Sequence, residues 1–168
     1  PFNENCNKPF IVRIISQLMK EYLSTAVPQS SKSGLPPGTL IHVGEEEPLP
    51  TNVTVYLYDS DTLEEKGQDF IHEIPEIQKY AWIRLTGLSD IGMIKRIADL
   101  LSLHPLTVED LINTSQRPKF EEFEDYLFIV IKILKAEDDI ISSEQLSIIL
   151  TENTICSFEE KPSDLFES

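Results

Sequence analysis

Residues 101–130 read LSLHPLTVEDLINTSQRPKFEEFEDYLFIV, and this stretch decides the fold. His104-Pro105 is its first punctuation. A residue before proline is pushed out of the helical region, while proline suits the first turn of a new helix. PLTVEDLINT is therefore expected to be a short helix, bent against the one before it. Val108 and Leu111 should be buried, leaving at least one of Glu109 and Asp110 exposed. Arg117 and Lys119 flank Pro118 beside the acidic run EEFED. The guanidinium fork of Arg117 suits a carboxylate, and an ion-pair network fixing the helix-to-strand crossover is the expectation here. From Tyr126, YLFIVIKIL is β-branched and aromatic without full alternation, as in a strand covered on both faces.

Working outward, LSDIGMIKRIADLLSL (residues 88–103) places Ile91, Ile94, Ile97, Ala98 and Leu101 at helical spacing, with Ser89 or Asp90 as cap. NVTVYLYD (52–59) alternates Val53, Val55 and Leu57 against Thr54, Tyr56 and Tyr58, a strand with two different faces. In AWIRLTG, Trp82 and Arg84 share one face and Ile83 and Leu85 the other. DSDTLEEKG (59–67) is expected to be a turn followed by a short helical piece, and KAEDD (135–139) a turn. SEQLSIIL and TICSFEE, separated by TEN, predict a hairpin. TLIHV (39–43) predicts a further strand. Helices before and between strands, then a meander, predict an α/β fold: an α/β/α sandwich with a mixed central sheet and helices on both faces.

The N-terminal part reads differently. FIVRIISQLMKEYL (10–23) carries an apolar stripe at helical spacing, and AVPQSSKSGLPPG (26–38) is a linker by composition. Residues 1–33 are thus expected to be an amphipathic helix with a Pro/Ser/Gly linker, and residues 34–168 the domain proper.

The 168-residue length favours one domain, able to bury roughly 70% of its unfolded surface without metal or disulfide support. Cys6 and Cys156 are expected to be free thiols. The net charge of −15 repels nucleic acid and gathers cations, and no basic stripe is present. No window reaches the roughly 18 apolar residues of a membrane-spanning helix. Pro1 opens a polar segment, so no secretory leader is expected.

Chemistry is sparse. GLPPG has the wrong spacing for a phosphate loop, and its prolines remove amide donors. His42, His72 and His104 stand apart, with no HExxH and no Cys/His quartet for zinc; His104 is expected to shape the break before Pro105. No nucleophile or acid/base pair points to an enzyme. Glu109 and Asp110 offer the oxygen ligands that hard cations such as magnesium take. Two carboxylates do not make a strong site by themselves, so a third from another segment or subunit is required, and solvated acids remain the plain reading of the residues alone.

Four ordered blocks carry a resemblance: GLPPGTLIHVG (34–44), AWIRLTGL (81–88), HPLTVEDLINTSQRPKFEEFEDYLFIVIKIL (104–134) and EQLSIILTENTICSFEEKPSDLF (144–166). Together they resemble the N-terminal cytoplasmic domain of CorA-type magnesium and cobalt transport proteins. The resemblance implies an α/β/α sandwich that faces the cytoplasm, joined by a stalk helix to two membrane helices of a homopentameric channel in the cell membrane. It further implies that Mg2+, with Co2+ or another divalent ion as a variant, binds between neighbouring subunits and holds the pore closed. Asp110 matches the carboxylate given to that regulatory site, and Glu109 an acidic neighbour. Stalk, membrane helices and the Gly-Met-Asn pore signature are absent from this sequence, where Gly92-Met93 is followed by Ile94. The expectation is a sensing domain cut before its stalk: non-conducting, weak for magnesium and monomeric by itself. The alternative is a stand-alone acidic cation-binding or interaction module.

Overall fold

The computed structural model describes residues 49–76, 79–137 and 140–166. The expected helix at 10–23, the linker, the strand at 39–43, Cys6 and His42 lie outside them, as do two residues of the KAEDD turn. Among the described residues a seven-stranded mixed sheet has the order β2-β1-β3-β7-β6-β5-β4. Its strands are β1 (Asn52–Tyr58), β2 (Leu63–Gly67), β3 (Tyr80–Thr86), β4 (Lys119–Glu122), β5 (Leu127–Glu137), β6 (Ile140–Leu150) and β7 (Thr154–Glu159). Two antiparallel blocks, β2-β1-β3 and β7-β6-β5-β4, meet at the parallel β3–β7 pair. The expected α/β class and mixed sheet are therefore observed.

The chain crosses from the first block to the second through α1 (Ile91–Leu100) and α2 (Pro105–Ile112). The Asp90 carboxylate caps α1 by accepting from the Met93 amide at 2.9 Å. The helix ends with Ser102 in the left-handed region, φ 52°, where the Leu103 amide reaches the Ala98 carbonyl at 2.9 Å. His104 explains its own position. It has extended backbone, its Nδ1 accepts from the Leu106 amide at 3.2 Å, and Pro105 occupies the first helical position. The His104 amide donates to the Tyr126 hydroxyl at 3.0 Å, and that hydroxyl pairs with Thr107 at 2.9 Å. The His-Pro pair thus caps α2 and ties it to the start of β5.

One apolar cluster fills the space between the sheet and these helices. Val53, Val55 and Leu57 of β1, Ile83 and Leu85 of β3, Phe128 and Val130 of β5, Ile149 of β6 and Phe158 of β7 meet Met93, Ile94 and Ile97 of α1 and Val108, Leu111 and Ile112 of α2. Period 2 along the strands and period 3.6 along the helices place all these side chains on facing surfaces. Free, buried Cys156 belongs to the same cluster, and burial pushes its thiol pKa up. The opposite face holds Tyr56, Trp82 and Arg84, over which a 3-10 helix, Asp164–Phe166, lays the Phe166 ring. The described helices therefore occupy both faces unequally: α1 and α2 on one, only this short turn on the other.

Two local expectations need correction, and one segment forms an element that was not expected. DSDTLEEKG is not turn plus helix but turn plus strand: the Asp59 carboxylate accepts from the Asp61 and Thr62 amides, closing the hairpin into β2. β2 is a charged edge strand whose alternation is of half-buried and exposed residues rather than apolar and polar ones, so hydrophobic periodicity could not reveal it. Residues Lys119–Glu122 form the further edge strand β4, not a plain crossover. A 3-10 helix, Gln68–Glu76, fills a segment given no element by the sequence; it buries Ile71 and Ile74 in the core cluster.

Candidate metal-binding site

Helix α2 has Thr107, Val108, Leu111 and Ile112 buried. Glu109 and Asp110 are left on its outer arc, roughly 100° apart around the axis. Neither is fully exposed; both are half-buried, which corrects the expectation of a freely solvated carboxylate. The reason lies in the segment after the helix. Beyond Asn113 the chain turns, with the Asn113 side chain accepting from the Ser115 amide and hydroxyl. The end of the helix is held from below by the sheet: Lys132 Nζ donates to the Thr114 carbonyl at 2.6 Å and Gln145 Nε2 to the Asn113 carbonyl at 3.2 Å. A cation suits that end of a helix. Burial lowers the Lys132 pKa.

This turn folds Gln116 and Lys119 back onto Asp110. Gln116 Nε2 donates to Asp110 Oδ1 at 2.6 Å, and Lys119 Nζ to Oδ2 at 2.6 Å. The Asp110 and Lys119 side chains are each 21% exposed. The same ammonium lies 3.1 Å from Glu121 Oε1 and 4.9 Å from the centroid of the Phe128 ring. Lys119 pairs with Val130, and Glu121 with Phe128, in the β4–β5 ladder, so both side chains stand on the helix-bearing face. The expected crossover ion-pair network exists, but Lys119 rather than Arg117 supplies its cation. Arg117 Nε is buried without a hydrogen-bond partner.

Magnesium takes six oxygens in a nearly octahedral shell. Glu109 and Asp110 provide oxygens of the right kind, too few of them, and both Asp110 oxygens already accept hydrogen bonds. Among the described residues no three His, Cys, Asp or Glu side chains converge as metal ligands do. Within one chain the acidic pair is at most part of a site. His72 is exposed on the 3-10 helix and His104 is used as a cap; neither is brought to Glu109 or Asp110 as a ligand group.

A second polar cluster escaped the sequence reading. Arg84 of β3 grips Glu159 of β7 through two bonds, Nε to Oε1 at 2.8 Å and Nη2 to Oε2 at 3.1 Å. The Ser163 hydroxyl and amide donate to Oε2, and its carbonyl accepts from Arg84 Nη2. The Glu159 side chain is 2% exposed. Arg84 sharing a face with Trp82 was the available signal; its partner is 75 residues away.

No helix among the described residues is long and apolar enough to cross a membrane. Comparison with known proteins places the chain. It is 37% identical over 143 residues to the cobalt/magnesium transport protein CorA of Thermotoga maritima, a match covering 82% of this chain and 40% of that protein. The chain thus spans well under half the length of that relative. Its fold is similar to that of the full-length CmaX protein, with a TM-score of 0.53 and 14% identity over 71% of this chain and 37% of that one. It is also similar to the ZntB cytoplasmic domain from Vibrio parahaemolyticus, with a TM-score of 0.51 and 14% identity over 68% and 46%. Residues 78–168 match the model of the CorA-like Mg2+ transporter protein family, and the chain, whose four blocks resembled that family, belongs to it.

Proposed function

We propose that this chain is the cytoplasmic magnesium-sensing and gating domain of a divalent-cation transporter of the cell membrane, and that it does not conduct ions itself. Family membership supports transport of Mg2+, with Co2+ as a further cargo, by a homopentameric whole protein. The observation that carries the sensing role is Asp110: a partly exposed carboxylate on α2, beside Glu109, in a chain whose charge is −15. Such a pair is short of a complete oxygen shell in one chain. A neighbouring subunit supplies the remaining ligands in this reading, and the isolated chain is monomeric and weak for magnesium.

Asp110 then acts through charge. Carboxylates facing one another across a subunit boundary repel when bare and are drawn together across a shared divalent cation. Their attraction is the free energy that couples cation binding to closure of the ring. The test is Asp110→Asn in the full-length protein, read as the magnesium concentration that halves transport. Losing one charged ligand, about 1.5 kcal/mol or more, should raise that concentration on the order of tenfold. Unchanged magnesium dependence would remove Asp110 from the sensing site.

A further inference from the structure

With Asp110 read as a metal-binding carboxylate, its surroundings determine how a cation could reach it. Its Oδ2 holds an ammonium already, that of Lys119 at 2.6 Å, while its Oδ1 is fixed by the neutral Gln116 amide at 2.6 Å. A divalent ion in contact with the carboxylate would sit within a few ångströms of that ammonium, and like charges at such range repel strongly where solvent is partly excluded. The lone pairs of Asp110 do not limit binding; the positive charge of the ammonium does.

Resting on that reading of Asp110, we infer that Lys119 is an internal competitor for the metal, and that a divalent cation binds Asp110 by displacing the ammonium onto Glu121. The geometry offers the displaced group a place to go. Glu121 Oε1 is only 3.1 Å from Nζ, its side chain is 43% exposed, and the Phe128 ring lies beneath the ammonium at 4.9 Å. A lysine carries three donors on a flexible stem, so it can give up Asp110 while keeping Glu121 and the ring. Gln116 is uncharged and stays in place, holding the carboxylate rotamer for the incoming ion. The exchange swaps one cation for another on the same carboxylate, which sets the sensor to a higher magnesium concentration than a bare Asp110 would have.

The test is a titration of the whole 168-residue chain with magnesium chloride at constant ionic strength, monitored by the NMR amide shifts of residues 109–111 and the Lys119 ammonium signal. Lys119→Met, which keeps the stem over Phe128, should tighten magnesium binding about three- to fivefold, the range of a partly exposed ion pair. Lys119→Gln, a second variant that keeps polarity, should go the same way, and Lys119→Arg should bind no tighter than the parent. Glu121→Gln, which removes the landing place, should weaken binding. Lys66→Met makes the same change of net charge on β2, at the opposite edge of the sheet from β4, and should leave affinity within about twofold. If both Lys119→Met and Lys119→Gln bind no more tightly than Lys66→Met while Asp110→Asn abolishes the shifts, Lys119 is no competitor and the reading of Asp110 survives. If Asp110→Asn titrates like the parent chain, both fall.

Discussion

Two ion pairs of similar chemistry differ in how far they are shut away from water. At the β3–β7 junction, Arg84 and Glu159 are locked by two parallel bonds, with Ser163 adding to the carboxylate's partners. At the α2–β4 corner, Lys119 and Asp110 share a single short bond at 21% exposure, with a second acceptor within reach. The buried pair is shut away from water that could replace a lost partner, so it fixes the backbone leaving β7. The partly exposed pair can be broken and remade at low cost. A site that must answer to a solute needs the second kind, and a joint that must not move needs the first.

The sharpest way to break this contrast is Arg84→Met. It leaves the buried Glu159 carboxylate without its guanidinium partner and should cost about 3–5 kcal/mol of unfolding free energy in a denaturant titration. Replacing both partners, Arg84→Met with Glu159→Leu, should recover much of that loss, because no charge is left unpaired. An Arg84→Met cost below about 1 kcal/mol would put this pair in the same class as the α2–β4 corner. Lys119→Met is the matching change there and should alter stability by no more than about 1 kcal/mol, even as it tightens magnesium binding. A loss as large as that of Arg84→Met would make Lys119 a structural anchor.

The smallest effect is expected at a third, more exposed cluster, where Lys79 meets Glu64 at 2.9 Å and Asp59 at 3.2 Å. Hydrogen bonds from Lys79 and then Lys66 lower the Glu64 pKa from 4.5 to about 2. The Asp61 and Thr62 amides, the Thr62 hydroxyl and Lys79 hold Asp59 lower still. Because these pKa values fall on folding, the stabilisation is complete above pH 4.5 and is lost as pH drops towards 2. In an acid-unfolding series, Lys79→Met should flatten the slope in that window and 1 M salt should do the same to the parent chain. An unchanged slope would mean that the cluster contributes nothing.

These clusters also mark how far the residues alone could be read. Helix α1, its Asp90 cap, the His104-Pro105 break and the alternation of β1 and β3 were legible, because each depends on neighbours within a few positions. Met93 is buried in the core cluster although it lay outside the expected stripe. β2 and β4 were missed for a common reason. Each is a charged strand at an edge of the sheet formed by the described residues, with little apolar surface to bury, so neither leaves a hydrophobic period.

The sequence by itself determined the family, the α/β class, the order of most elements and the presence of an acidic pair on a short helix, since these rest on local spacing and ordered motifs. Only the tertiary structure decided who partners those acids. At least one of Glu109 and Asp110 could be expected to face outward, but the capture of Asp110 by Gln116 and Lys119 depends on the turn after Asn113 and on the β4–β5 register that raises Lys119 towards α2. The Arg84–Glu159 lock depends likewise on the parallel pairing of β3 with β7. Charge pairing is set by distance in space, and a chain's spacing encodes that distance only where the backbone between the partners is short and regular.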